Sequence, residues 1–171
     1  MSMAADTKRN YLIGAVAGRL AVDPVALHNL ISFETAGTFD PKIKNPGSSA
    51  RGLIQFTDET ARSLGYNDSL HLVSKNDTFE KQLNGPVYSY LSRYIPYKNK
   101  QALYMSVFYP AAMNWPESTV FPQYVRSANP GINTVGDYIS LVEGRPKYYY
   151  YGVPILAAII GYLIYRHTKG E

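Results

Sequence analysis

Glu34 and Gln55 are the residues whose types and spacing could do chemistry. Leu27, Leu30, Ile31 and Glu34 fall at i, i+3, i+4 and i+7 of a helix, so one carboxyl group shares a stripe with aliphatic side chains. A carboxylate drawn toward an apolar face loses hydration, which raises its pKa and lets it hold a proton near neutral pH. A general acid needs that state to protonate a leaving oxygen. The same pattern has a plainer outcome, in which Glu34 stands in the last turn of an amphipathic helix and turns to solvent, since Ala36 and Gly37 soon end the periodicity. Downstream, Gly52 permits close backbone approach, and Gln55 can both donate and accept hydrogen bonds. Gln55 could equally be a buried amide that ties a loop to a helix.

Several elements must position these groups. Asp23-Pro24 is a helix start, with Asp able to cap free amides and Pro tolerated in the first turn. The helix from Pro24 to about Thr35 delivers Glu34 at its C-terminal end, with His28 one and a half turns earlier and read as structural or solvated. Turn formers crowd the stretch from Gly37 to Ser49, which is expected to be an exposed loop or a short hairpin. Thr57 is expected to cap a short helix closed by Gly65, with Asp58 and Glu59 in its first turn, where the helix dipole explains both acids. Ala50, Leu53 and Ile54 read as packing residues and Arg51 as solvated. Asn76-Asp77 opens a further helical pattern, Phe79, Leu83, Val87 and Leu91, broken or kinked at Gly85-Pro86. Tyr88, Tyr90, Tyr94 and Tyr97 cover more than one side of it and are mostly packing. The stretch from Ala102 to Ala112 reads as a central helix buried nearly all round. Trp115 is a cleft wall or a core plug. Thr134 caps a last short helix with Val135, Tyr138, Ile139 and Val142 on one face, ended by Glu143-Gly144. At the other end Leu12, Val16 and Leu20 give a packed first helix in preference to a signal peptide.

Glu34 followed by Ala50-x-Gly52-Leu53-x-Gln55 and then Thr60-Ala61 resembles the lytic transglycosylase and goose-type lysozyme family. The likeness covers about residues 24 to 115. It implies a mainly α, lysozyme-like domain and cleavage of the β-1,4 bond between N-acetylmuramic acid and N-acetylglucosamine in peptidoglycan glycan strands. It also implies Glu34 as the catalytic acid, substrate contacts at Ser49, Gly52, Gln55 and Tyr109, and no metal or organic cofactor. In the family the central helix ends in Ala-Tyr-Asn, whose Tyr hydroxyl bonds near the catalytic Glu. Here the chain reads Phe108-Tyr109-Pro110, so the Tyr matches and one sugar contact is lost. The loop between Glu34 and Gln55 is longer than the family's by a few residues. A lytic transglycosylase needs one carboxyl group, which protonates the glycosidic oxygen and then takes a proton from the muramyl C6 hydroxyl to close a 1,6-anhydro ring. A hydrolase would normally need a second acid across the bond, and no motif places Asp40, Asp58 or Glu59 there.

The bulk properties bound the architecture. With 171 residues and 46% hydrophobic content, the chain can bury one ordinary domain and carry a short appendage. The absence of Cys excludes a disulfide framework and thiolate metal sites. Of the net charge of +4, +3 sits in residues 145–171, where Arg145, Lys147, Arg166 and Lys169 face only Glu171. Lys and Arg in the remainder are scattered among acids, which sets nucleic acid aside as a partner. From Tyr148 to Tyr165 no charge occurs, and as a helix this run would span about 27 Å, close to a thin bilayer core. Tyr at both ends and cations beyond them fit interfacial anchoring. The expected organisation is a helical domain over residues 1–144 and a transmembrane anchor over 145–171, meeting lipid through 148–165. Such a tail on a small chain with no export signal points to a phage protein, held in a virion membrane beside other virion proteins or in the bacterial inner membrane. Two other classes fit the same organisation: a catalytically silent structural membrane protein of a virion, and a lysis protein whose active part is the apolar tail.

Overall fold

The computed structural model describes residues 3–144, with side chains from residue 4, and these are mainly helical. In chain order the α-helices are α1 (Met3–Leu20), α2 (Pro24–Glu34), α3 (Asp58–Ser63), α4 (Ser69–Lys75), α5 (Phe79–Gln82), α6 (Tyr88–Leu91), α7 (Lys100–Phe108), α8 (Gln123–Ala128) and α9 (Val135–Glu143). Extended pairing among the described residues is limited to isolated antiparallel bridges: Lys44 with Arg51, Arg51 with Phe56, and Val120 with Thr134.

The helix starts follow local chemistry. The Asp23 carboxylate accepts from the Val25 amide at 2.8 Å, satisfying a donor that α2 leaves open, and Pro24 occupies the first turn. Thr57 does the same for α3, accepting from Thr60, and Gly65 leaves that helix at φ 88°. Thr134 and Asp137 form a reciprocal capping box on α9.

The core gathers where α2 meets α1, α7 and α9. Ile13, Val16, Ala17 and Leu20 of α1 are buried with Ala26, Leu27, Leu30 and Ile31 of α2, while Leu12 is only partly covered. Burying each of these leucines or isoleucines contributes about 1.5–3 kcal/mol. In α7 the residues Ala102 to Ser106 and Phe108 are all buried, which is the enclosure expected of a central helix.

Four features depart from the sequence reading. Asn76 ends α4 instead of starting the next helix, because Thr78 supplies the N-cap that α5 needs. Helices α4 and α8 were not anticipated; both are short and carry little periodic signal. Helix α7 stops at Phe108, and Pro110–Ala112 continue only as a 3-10 turn, since Pro110 cannot donate to the ladder. At Gly85-Pro86 the chain widens into a π-helical turn, Leu83–Val87, which joins α5 to α6 without a break.

Among the described residues no helix is long and apolar enough to cross a membrane. The apolar run 148–165 lies outside those residues.

Candidate active site

Glu34 is the last residue of α2, and its exposure is 0%. Among the described residues it is the one Asp, Glu, Lys, Arg or His that is buried. Removing a carboxyl group from water is costly unless polar partners replace the lost hydration. The Tyr138 hydroxyl, donating to Oε1 at 3.0 Å, is such a partner. Tyr138 comes from α9, is itself fully buried, and is held from two sides. Phe108 of α7 stacks on its ring at 4.1 Å and 16°, and Phe33 of α2 meets it edge-on at 5.3 Å. Three helices that are distant in sequence therefore converge on one carboxyl group.

The chain reverses directly after it. The Thr35 hydroxyl donates to the Ile31 carbonyl at 2.7 Å and accepts from the Phe39 amide at 3.1 Å. Ala36, Gly37 and Phe39 take φ values of 51°, 75° and 55°, a left-handed run that non-glycine residues adopt only at an energetic cost. His28 packs against Phe39 with ring centroids 5.0 Å apart, and burial holds its imidazole below the usual value of 6.5. It serves packing, as its lone helical position implied.

The second candidate stretch forms a tight turn locked from outside. Gly52 has φ 79°, and a Cβ there would stand 2.3 Å from Gln82 Oε1. That oxygen accepts the Leu53 amide, while Nε2 donates to the carbonyls of Pro41 at 2.9 Å and Asn76 at 3.2 Å. Gln55, at φ 53° and 5% exposed, folds back so that its Nε2 donates to the Gly52 carbonyl at 3.0 Å. Ser49 joins this turn to the helices that follow: its Oγ accepts from the Asp58 amide at 3.2 Å, and its carbonyl accepts from the Ser69 hydroxyl. Asp58 is structural too. Burial raises its pKa, but the Ser69 hydroxyl and amide, both donating to it, lower it further and leave it below the usual carboxyl range.

Tyr109 caps the end of α7 and is buried. Its hydroxyl lies 2.9 Å from that of Tyr124, and its ring packs against Trp115 at 5.5 Å and Phe121 at 5.7 Å. Burial, followed by the Tyr124 bond, pushes the Tyr109 phenol well above its ordinary pKa. Trp115 is half-buried in this aromatic group.

The structure thus brings Gly52 and Gln55 into one turn and sets Tyr109 beside Tyr124. The hydrogen bonds of Gln55 and Tyr109 go to Gly52 and Tyr124, and the phenol on Glu34 belongs to Tyr138. Sequence reasoning missed Tyr138, Tyr124 and Gln82. Tyr138 lies in the apolar period of α9 and looks like any packing residue. Gln82 offered a faint signal, a lone amide between Phe79 and Leu83 in an apolar stripe. Among the described residues no three His, Asp or Glu side chains gather closely enough to hold a metal ion. Comparison with protein-family models, with curated proteins and with solved structures finds no match to this chain.

Proposed function

We propose that the chain is a peptidoglycan-cleaving lytic transglycosylase with a lysozyme-like domain, in which Glu34 is the catalytic residue. The observation that carries the reading is a single glutamate, fully enclosed at the end of α2 and bonded to a neutral phenol. A carboxyl group held by such a donor can release a proton and take it back. Glu34 donates its proton to the glycosidic oxygen as the bond to the anomeric carbon of N-acetylmuramic acid breaks. The C6 hydroxyl oxygen then bonds to that carbon and returns its proton to Glu34. A 1,6-anhydro ring and a free N-acetylglucosamine hydroxyl result, with no water consumed and the acid regenerated. In this reading Ser49, Gly52, Gln55 and Tyr109 lie along the glycan, and residues 148–165 hold the domain at a membrane, in a virion or at the bacterial inner membrane.

A second reading is favoured by the complete enclosure of Glu34: a silent virion protein that keeps the acid only as part of its core. Catalysis requires a covering segment to yield to the glycan, whereas the silent protein does not. Digestion of purified peptidoglycan with the full-length chain, followed by mass spectrometry, separates them. The expected result is 1,6-anhydromuramic ends, lost by about a thousandfold in rate in Glu34→Gln. Reducing ends would indicate a hydrolase, and no cleavage by the wild type would indicate the silent protein.

A further inference from the structure

Three helices have an end at one pole of the domain. Glu143, the last residue of α9, is bridged at 2.7 Å by Lys100, the first residue of α7, and accepts from the Tyr104 hydroxyl at 3.2 Å. Tyr104 also interacts with Asn29 of α2, and Lys100 lies in the field of Asp23, the N-cap of α2. The start of α2 is therefore a neighbour of the point where α9 ends. On this start Val25 is 62% exposed, and with Pro24 and His28 it faces Asn10 and Ile13 of α1 across an open groove of about 260 Å³. Tyr11, the residue after Asn10, is 75% exposed. The other Leu, Ile, Val and Phe residues of α1 and α2 are buried or partly covered, so these two side chains stand out.

We propose that this pole of the domain rests on a lipid bilayer, with Val25 and Tyr11 entering its interfacial layer beside the groove. The inference rests on the reading of residues 148–165 as a membrane span. Tyr148 follows Gly144 by four residues, a reach of at most about 14 Å. A span that begins there holds the end of α9, and with it the start of α2, against the headgroup region. In that layer an apolar side chain and the amphipathic ring of a tyrosine both gain from partial burial. The connection also carries Arg145 and Lys147, cations that anionic headgroups attract. Glu34 ends α2 nine residues beyond Val25, about 14 Å along the helix axis. The contact thus leaves the acid's end of α2 remote from lipid, on the side that a glycan strand must approach.

The chain has no Cys, so a single introduced cysteine carries a bimane fluorophore without background. The test labels full-length Val25→Cys, Tyr11→Cys and a control, Leu70→Cys, an apolar position 59% exposed on α4, which packs on α3. Each is reconstituted in vesicles of phosphatidylethanolamine and phosphatidylglycerol, with and without nitroxide-bearing lipid. Expected is flotation with the vesicles, and quenching by the nitroxide of about twofold at positions 25 and 11 against under about a tenth at position 70. Vesicle-bound protein quenched no more at 25 and 11 than at 70 overturns the docking face while upholding the membrane anchor. Protein that does not float with the vesicles overturns both. Emission at position 25 that is shielded from water but unquenched by lipid also overturns the proposal. A second copy then covers the face if shielding grows with protein concentration, and residues 145–171 cover it if shielding does not. Should a label disturb the fold, the unlabelled chain is exposed to lipid carrying a diazirine beside its glycerol. Adducts are expected on α1 and α2 in preference to α4, and adducts without that preference overturn the face.

Discussion

At the scale of single residues, the chain accepts a stability cost at Glu34. A buried ionisable group gives up hydration that its polar partners, the Tyr138 phenol among them, have to replace, and sites arranged for chemistry commonly sacrifice stability in this way. Replacing it with the isosteric amide keeps an acceptor toward Tyr138 and removes the ionisable group. Glu34→Gln is therefore expected to be more stable than wild type at neutral pH by about 1–2 kcal/mol, read as a melting temperature several degrees higher. A lower melting temperature would make the carboxyl group a structural keystone. Glu34 was legible in the sequence because a charged residue on an apolar helical stripe is conspicuous. Its partner was not, because a buried tyrosine at a helical period looks the same whether its hydroxyl bonds a carbonyl, water or an acid.

At the scale of elements, the turn around Gly52 shows how a short motif is enforced from elsewhere. Gln82 fills the space that a side chain at position 52 would need, and it bonds three separate segments. A methyl group at Gly52 would meet that amide and would also oppose the positive φ. Gly52→Ala is expected to cost about 2–4 kcal/mol in chemical denaturation, by displacing a buried amide whose partners then lack bonds. A loss under about 1 kcal/mol would mean that the turn relaxes freely. The helix starts at Asp23, Thr57 and Thr134 were readable because capping is a local exchange between a side chain and amides two or three residues on. Helix α7 was readable as buried but not in length, since Pro110 ends it before the apolar run does.

For the whole molecule, the tertiary bonds set how stability depends on pH. Burial lowers the His28 pKa below 6.5, so the unfolded chain takes up a proton that the folded chain resists, and stability falls as pH drops from about 6.5. Asp58 and Asp137 lie below the usual 3.8. At Asp58 the Ser69 donors outweigh burial, and at Asp137 the Thr134 amide is the main cause. Their stabilisation is present above about pH 4 and is lost as pH falls through the folded values. Melting measured from pH 7 to pH 3 is expected to decline in two stages, with His28→Gln removing the first and Asp137→Asn weakening the second. A flat first stage would place the His28 ring in solvent.

The sequence by itself determined a mainly helical chain, the caps at Asp23, Thr57 and Thr134, a buried central helix and the one acid set on an aliphatic stripe. Those follow from periodicity and from exchanges within a few residues. Only the tertiary structure decided that Tyr138 is the phenol on Glu34, that Gln82 locks the Gly52 turn and that Tyr109 pairs with Tyr124. Each of these depends on which segment meets which, and residues 15 to 104 positions apart leave no periodic trace of their meeting.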